Sequence, residues 1–295
     1  MRIIDLLHRK KRFFSLEFFP PKDPVAWPAF FDEVKKLSAM MPLYVSVTYG
    51  AGGSARNHTL TIVERLKSLD FEPMAHLTCV GSDRTRLNIF LSELKAAGID
   101  NVLALRGDLP ECSRNADRQN MEFHLAADLV DFIRTGHGEL GIAVAGYPEK
   151  HPEAPDLDTD IGHLKQKMAC GADFVITQLF FKNDNYFSYL AKARLQGIIA
   201  PIVPGILPVM SLPGLKRMMS LCHTLEVPHD YMVSLEEADR EGGTEAVRRL
   251  GVEYAKRQIL DLLERGAPGI HLYTLNRSAT CLEIASYPPI ARFMA

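Results

Sequence analysis

Short apolar runs alternate with helical patterns along the whole chain. The first run covers residues 13–19 and ends at Pro20-Pro21, as expected of a buried strand that ends in a turn. Apolar residues at helical spacing separate it from later runs, and extra helical material follows the seventh. The later runs, rich in β-branched and aromatic residues, cover 43–49, 73–80, 101–105, 141–147, 173–180, 201–206 and 269–275. The pattern predicts eight strand–helix units.

Strands that are separated by helices must pair in parallel, because each helix returns the chain to the same end of the sheet. Eight such units can close into a barrel. A doubly wound open sheet is the alternative, but the Gly-x-Gly-x-x-Gly turn of a dinucleotide-binding fold is absent. We therefore expect an α/β protein with a (β/α)8 TIM barrel. A single domain over residues 1–295 should carry extra helices between strands 7 and 8.

Composition narrows the class of protein. The hydrophobic fraction of 47% is enough for a large core, and 24% charged residues is ordinary for a soluble globular protein. The net charge is -2 and no basic block stands out, so we expect neither nucleic acid nor a membrane as partner. The cysteines are scattered without metal-ligand spacing, which favours a reduced, cytoplasmic setting and no bound metal.

One carboxylate lies within the first strand. Glu17 has phenylalanines on both sides, at 13, 14, 18 and 19. Burial in such surroundings disfavours the charged form, so we expect the pKa of Glu17 to rise. A glutamate of this kind can act as a general acid near neutral pH. The alternative is that the strand end is exposed and Glu17 points to water.

Polar residues follow most of the predicted strands. In (β/α)8 barrels, active sites form at the carboxyl ends of the strands and in the loops after them. Each residue alone could be structural, so the hypothesis of a site rests on their convergence. The residues at these ends are Glu17, Thr48, His76, Arg106, Asp108, Tyr147, Gln178, Tyr273, Asn276 and Arg277.

The chemistry available at these strand ends is restricted. They carry no nucleophile elbow and no lysine for a Schiff base. An acid, an Arg106–Asp108 charge pair and hydrogen-bonding groups remain, which suits an organic cofactor that brings its own redox chemistry. The small-residue turn at 50–54 precedes a helix, where backbone N–H groups could meet an anionic group.

Taken together, the strand-end motifs resemble the methylenetetrahydrofolate reductase family, in its bacterial form that consists of the catalytic domain alone. The likeness runs in order along almost the whole chain. Its motifs are Ser15-Leu16-Glu17-Phe18-Phe19-Pro20-Pro21, Val45-Ser46-Val47-Thr48-Tyr49-Gly50-Ala51, His76-Leu77-Thr78-Cys79, Leu105-Arg106-Gly107-Asp108-Leu109-Pro110, Tyr147-Pro148-Glu149, His151-Pro152-Glu153, Ile176-Thr177-Gln178 and Tyr273-Thr274-Leu275-Asn276-Arg277.

The resemblance implies a barrel with non-covalent FAD across the strand ends. The implied reaction is the reduction of methylenetetrahydrofolate to methyltetrahydrofolate by NADH or NADPH, in two half-reactions at one site. Glu17 matches the family glutamate that protonates the departing nitrogen, so that the methylene bridge opens to an iminium ion. Asp108 matches an aspartate near the flavin, and Gln178 and Arg277 match residues that contact folate.

The family pattern also points to an FAD-binding set. Asp160 and Lys167 lie seven apart on one predicted helix, and by themselves would suggest a solvated helix flank. Thr48 is expected to serve the nicotinamide phase together with Gln178. The full cofactor-binding set is Thr48, Tyr49, Ala51, His76, Arg106, Gly107, Asp108, Ala126, Tyr147, His151, Ala154, Asp160 and Lys167.

The chain departs from the family at position 212 and in the loop 111–119, which does not follow a family pattern. Leu212 stands where the best-known bacterial members have a phenylalanine that stacks on folate and nicotinamide. Two alternatives stay open: another flavin barrel, such as a proline dehydrogenase-like enzyme, and a non-catalytic folate-binding subunit of a methyl-transfer complex. The expected partners are methylenetetrahydrofolate, a nicotinamide and further copies of the chain in a homo-oligomer.

Overall fold

The computed structural model describes residues 1–48, 54–80, 82–107 and 121–294, with backbone alone at 54–57. Eight parallel strands form a closed barrel in sequence order, which confirms the predicted (β/α)8 architecture. Register places Glu17 between Ser46 and Tyr273 of the neighbouring strands. The strands are β1 Phe14–Phe18, β2 Val45–Val47, β3 Pro73–Thr78, β4 Asn101–Leu105, β5 Gly141–Gly146, β6 Phe174–Leu179, β7 Ile202–Ile206 and β8 Ile270–Tyr273.

Helices surround the barrel, and α8 and α9 supply the extra helical material expected between strands 7 and 8. Within α9, Gly243 has φ 58° and ψ -155°, so this element is two helices joined at a kink. The helices are α1 Ile3–Arg9, α2 Trp27–Leu37, α3 Ser54–Lys67, α4 Arg84–Ala96, α5 Ala126–Gly136, α6 Leu157–Ala169, α7 Asn183–Leu195, α8 Leu212–Leu221, α9 His229–Glu264, α10 Ser278–Ala285 and α11 Pro288–Met294. Within the described ranges, no helix combines the length and hydropathy needed to cross a bilayer.

Side chains alternate between the two faces of each strand, and the molecule therefore has two apolar regions. In β1, Leu16 and Phe18 join the large cluster between strands and helices, whereas Phe13, just before the strand, joins a smaller cluster inside the barrel. Helix α1 adds Ile3 and Ile4 to this inner cluster. Successive side chains of a strand point to opposite faces. In each strand, the residues between those that face the outer core therefore point into the barrel.

The backbone of β7 lies so close to its neighbouring strands that position 205 requires a glycine. A Cβ at Gly205 would overlap the Thr177 carbonyl oxygen and lie 2.8 Å from Cε2 of Tyr273. The Gly205 N–H donates to Thr177 Oγ1 at 2.9 Å, and the β6–β7 register shifts between Ile176 and Leu179. The Tyr273 hydroxyl donates to the Thr177 carbonyl at 2.9 Å. The irregular β6–β7 pairing thus makes room for Tyr273 inside the barrel.

We expect Gly205→Ala to destabilise the fold by about 1–3 kcal/mol, because the added methyl group overlaps backbone and an aromatic ring. Urea unfolding measures the change. Gly162→Ala in α6 is the matched control, since a Cβ there meets nothing within 4 Å. The control should stabilise the helix by about 0.5–1 kcal/mol. Equal effects of the two substitutions would contradict this account of β7.

Candidate functional site

A buried carboxyl group lies inside the barrel toward the carboxyl ends of the strands. Glu17 is 6% exposed, so the alternative of a carboxylate pointing to water is wrong. Its Oε2 lies 3.4 Å from Nε2 of both His76 and His271. The Ser46 hydroxyl donates to the same oxygen at 3.5 Å. These four side chains, from β1, β2, β3 and β8, form what we call the Glu17 cluster.

The expected direction of the Glu17 pKa shift was wrong. Burial raises this pKa, as predicted from the flanking phenylalanines, but the charge on His76 and hydrogen bonding from both histidines outweigh burial. The net result lowers the pKa of Glu17 from its ordinary 4.5 to about 2. The carboxylate is therefore held as an anion while the imidazoles carry positive charge. Without that charge, burial dominates and favours the neutral carboxyl.

His271 and Ser15 were missed as site residues. His271 is fully buried, and its Nδ1 lies 2.9 Å from Ser15 Oγ. Register pairs Ser15 with His271 and Glu17 with Tyr273, so all four occupy inward positions two residues apart. The spacing of two residues is visible in the sequence. What the sequence did not show is that β8 pairs with β1, which brings these residues together when the barrel closes.

Most described members of the expected cofactor-binding set line one cavity of about 180 Å³. Alanines at 104, 126, 127, 145 and 154 form part of its wall, where a flat group can approach the backbone closely. The polar lining includes one arginine, one lysine and one carboxylate that were expected there. These and the remaining expected residues that line the cavity are Arg106, Ala126, Tyr147, His151, Ala154, Asp160 and Lys167.

Asp160 and Lys167 do not form the solvated helix flank that their spacing alone suggested. Asp160 is 7% exposed and accepts a hydrogen bond from the His151 backbone N–H at 3.1 Å. Lys167 Nζ donates to the Ala145 carbonyl at 2.6 Å. Burial lowers the pKa of Lys167 to about 8, with Asp160 opposing the shift. Both charges thus face the cavity.

Arg106 and His151 form the other polar wall. The Arg106 guanidinium binds Glu153 at both carboxylate oxygens, at 2.6 and 3.0 Å. The His151 ring packs edge-on against Tyr147, with centroids 4.8 Å apart. Burial lowers the pKa of His151, and the positive charge of Arg106 adds to the effect. A neutral imidazole is therefore favoured beside the cavity.

Gly107 has a conformation that suits glycine. Its φ is 86°, and a Cβ there would lie 3.0 Å from Cβ of Thr78. The backbone after β4 can therefore pass close to β3, as expected where a strand end turns across the barrel mouth. Three predicted site residues, Tyr49, Ala51 and Asp108, lie outside the described residues.

The remaining predicted residues lie around the mouth. Thr48 follows β2 and its N–H donates to the Phe18 carbonyl at 3.1 Å. Gln178 is partly buried in β6, where its Oε1 accepts from the Leu179 N–H at 2.9 Å. Arg277 is exposed just before α10, at the rim.

The turn before Arg277 is held in an uncommon conformation. Leu275 and Asn276 both have positive φ, at 46° and 57°. The Asn276 side chain bonds the Phe19 backbone in both directions, accepting from its N–H at 3.0 Å. Left-handed residues of this kind persist only where surrounding contacts hold them. These bonds fix the β8 turn against the end of β1, near Glu17.

Leu212, which stands at the position of the family phenylalanine, lies at the edge of an apolar cluster. It is 7% exposed at the start of α8 and packs in an apolar cluster that includes Phe181, Leu215 and Tyr231. Its side chain therefore contributes to the packing of α8 and α9 against the barrel.

The chain is thus a (β/α)8 barrel with a buried acid–histidine cluster toward the carboxyl ends of its strands and a cavity of mixed charge. A family model described as "Methylenetetrahydrofolate reductase" matches residues 2–287. The chain belongs to this family.

Relatives of known name agree with the family assignment. The chain is 34% identical over 283 residues to 5,10-methylenetetrahydrofolate reductase of Pectobacterium carotovorum, covering 94% of this chain and 92% of that protein. It is 36% identical over 282 residues to methylenetetrahydrofolate reductase (NADH) 1 of Arabidopsis thaliana, covering 92% of this chain. The match spans 47% of the plant protein, so the chain covers about half the length of that relative.

One solved structure shows the same fold at low sequence identity. A Clostridium thermocellum protein, titled as binding two copies of 5-methyl-5,6,7,8-tetrahydrofolic acid, aligns with a TM-score of 0.68 at 13% identity. The alignment covers 97% of this chain and 98% of that one. At this identity the likeness supports the barrel fold alone.

We expect His76→Leu to raise the pKa of Glu17 well above about 2, because positive charge on His76 is the largest influence that lowers it. Replacing His271 as well should bring the pKa above 4.5, since burial is then unopposed by either imidazole. Carbon-13 NMR of the Glu17 carboxyl measures the midpoint, with Glu17→Gln for assignment.

Glu33 provides an internal control for this titration. Lys36 and Ser278 lower its pKa to about 2 from outside the cluster, so its midpoint should not move. If the Glu17 midpoint also stayed in place, the two histidines would not be what holds the carboxylate ionised.

Proposed function

We propose that this chain is a flavin-dependent oxidoreductase that reduces 5,10-methylenetetrahydrofolate to 5-methyltetrahydrofolate, with NADH or NADPH as electron donor. The family assignment supports the substrate class. The observation that carries the proposal is the Glu17 cluster, which places a buried acid–base group at the barrel mouth. The names of two relatives specify NADH in Arabidopsis thaliana and NADPH in Caenorhabditis elegans, so the proposal extends to nicotinamides of both kinds.

The residues present fit FAD. The alanine-lined cavity accepts a flat group, and Lys167 and Arg106 supply positive charge for its phosphates. In this proposal the cavity residues hold the cofactor, together with Thr48, Tyr49, Ala51 and Asp108.

When bound, FAD supplies hydride transfer, taking a hydride from the nicotinamide in one half-reaction and passing one to the folate in the next. The chain itself must orient both substrates at one mouth and supply a proton to the folate. Gln178 in β6 and Arg277 just after β8 are proposed to contact folate. Asp108 is proposed to stabilise positive charge that develops on the folate.

Protonation must precede reduction of the methylene bridge. A proton on the departing nitrogen lets the carbon–nitrogen bond break, with the bonding electrons leaving on that nitrogen. The remaining nitrogen then forms an iminium with the methylene carbon, and addition of hydride to that carbon yields the methyl group. Glu17 is proposed as the general acid, because its carboxyl group is buried toward the carboxyl ends of the strands, within reach of two histidines.

The lowered pKa of about 2 leaves Glu17 without a proton of its own near neutral pH, so a neighbouring group of the cluster must supply one. A proton resting on Nε2 of His76 lies 3.4 Å from Oε2 of Glu17. Its transfer to Oε2 removes the positive charge that lowered the pKa of Glu17. Burial then favours the neutral form of the carboxyl group, which can donate its proton to the folate nitrogen. We therefore treat Glu17 and His76 as one proton-sharing pair, and His271 as the group that hydrogen-bonds the same carboxylate oxygen.

We expect Glu17→Gln to slow the folate half-reaction by about 10²- to 10⁴-fold, because a general acid contributes this much and glutamine cannot donate a comparable proton. Reduction of the flavin by NADH requires no proton from Glu17 and should change little. Stopped-flow absorbance of the flavin-loaded protein measures both steps separately.

Glu64→Gln is the matched control for this substitution, since Glu64 is exposed on α3, and it should leave both steps unchanged. Equal losses in both half-reactions of the Glu17 variant would count against its role as the acid. A wild-type protein that binds folate but no flavin would instead support the non-catalytic subunit.

A further inference from the structure

A line of buried polar groups continues from Glu17 toward the floor of the barrel. Glu17 Oε2 faces His271 Nε2 at 3.4 Å, and His271 Nδ1 faces Ser15 Oγ at 2.9 Å. Ser15 and His271 are fully buried. The next polar group along this line is the hydroxyl of Tyr44, from the residue before β2. Tyr44 plays no part in the proposed reaction as described above.

Tyr44 is held rigidly beside His271. Its ring is fully buried and stacks on the imidazole with centroids 6.0 Å apart and an interplanar angle of 19°. Phe13 and Phe174 pack against its other sides, with centroids 6.2 and 5.8 Å away. These contacts require an aromatic ring but no hydroxyl. Phenylalanine would satisfy them equally.

The Tyr44 hydroxyl is a costly group at this position. It makes no hydrogen bond of ordinary geometry with any described residue, although burial of an unpaired hydroxyl is unfavourable. Burial raises the pKa of Tyr44, and an interaction with the Ser15 hydroxyl opposes the rise. Ser15 is thus the polar neighbour toward which the Tyr44 hydroxyl can turn.

Ser15 alone leaves the direction of hydrogen bonding undecided. Its hydroxyl can donate to Nδ1 of His271 or accept from it, because a hydroxyl has one hydrogen and two lone pairs. If Ser15 donates, a neutral His271 carries its hydrogen on Nε2, facing Glu17. If Ser15 accepts, Nε2 presents a lone pair to Glu17 instead. In the second arrangement, the Nε2 lone pair of His271 would accept the acid hydrogen of Glu17, which would then point away from folate.

We propose that Tyr44 is a positioning residue that fixes which nitrogen of His271 carries hydrogen. Its hydroxyl donates to Ser15 Oγ, which directs the Ser15 hydrogen toward Nδ1 of His271. The hydrogen on Nε2 then stabilises the carboxylate that forms when the acid has given up its proton. This inference rests on the proposed function for its catalytic consequence, but the tautomer itself is a property of the protein alone.

The titratable groups around His271 come from β1, β3, the residue before β2 and its own strand. Glu17 faces its Nε2, Tyr44 stacks on its ring, and Tyr273 of the same strand packs edge-on at 5.4 Å. His76 acts through the shared Glu17 oxygen. A change confined to the Tyr44 oxygen leaves all of these groups in place, which makes the single-atom substitution a clean test.

The test is nitrogen-15 NMR of the His271 imidazole in wild type and Tyr44→Phe, recorded over a pH series that extends until the ring is neutral. His271→Gln assigns the resonance. Wild type should show the Nε2–H tautomer, and the variant should gain Nδ1–H. Ser15→Ala should give the same gain if Tyr44→Phe folds poorly. The same Nε2–H tautomer in wild type and both variants would overturn the proposal.

Tyr186→Phe is the control for a purely structural effect. The Tyr186 hydroxyl is also buried and donates to the Ile202 carbonyl at 2.9 Å, outside the barrel interior. Its loss should lower stability without changing the His271 tautomer. A tautomer shift in this variant equal to that in Tyr44→Phe would overturn a specific role for Tyr44.

The rates of the two half-reactions distinguish a failure of this inference from a failure of the proposed function. In flavin-loaded Tyr44→Phe, the folate half-reaction should slow by about tenfold and its pH profile should shift, while reduction by NADH is unchanged. A tautomer shift in a protein whose wild type does not reduce methylenetetrahydrofolate would support the positioning role and overturn the proposed function. A tautomer shift with no change in the folate step would overturn the catalytic consequence of the positioning role.

Discussion

The contact on which the site depends is that between the Glu17 carboxylate and two imidazoles inside the barrel. Burial alone would raise the pKa of Glu17. Placed 3.4 Å from the same oxygen, His76 and His271 reverse the effect of burial on the Glu17 pKa. The consequence is a unit whose proton can lie on nitrogen or on oxygen at small cost.

Closure of the barrel creates this contact. His271 is in β8 and Glu17 in β1, and the two strands become neighbours because eight parallel strands close on themselves. The irregular β6–β7 pairing at Gly205 admits the Tyr273 ring, which packs edge-on against His271. The Asn276 side chain then ties the end of β8 to Phe19, just past β1. Fold geometry and site geometry are therefore set by the same strands.

Much of the fold and part of the site could be predicted from sequence. Alternating strand and helix patterns predict the barrel because the period of apolar residues is a local property. The mouth position of Glu17 follows from the same reasoning. The direction of its pKa shift does not, because it depends on His271, which is distant in sequence and was read as an ordinary residue of the eighth strand. A pKa depends on every charge nearby, and local sequence supplies only one part of that environment.

The cofactor cavity illustrates the same limit. Asp160 and Lys167 have the spacing of a solvated helix flank, and the family resemblance rather than the pattern placed them at the cavity. The structure buries Asp160 and turns Lys167 to the Ala145 carbonyl, since α6 packs against the end of β5. Leu212, at the position of the family phenylalanine, packs in the cluster between α8 and α9. Tertiary packing decides both cases.

The pH dependence of the two half-reactions tests the central claim most directly. If the Glu17 cluster donates the proton that opens the methylene bridge, the folate half-reaction requires its protonated form. Its rate should then fall by about tenfold per pH unit above the apparent pKa of the cluster. Reduction of the flavin by NADH should not follow that ionisation. A folate step that is independent of pH, or that changes in parallel with the nicotinamide step, would contradict the account.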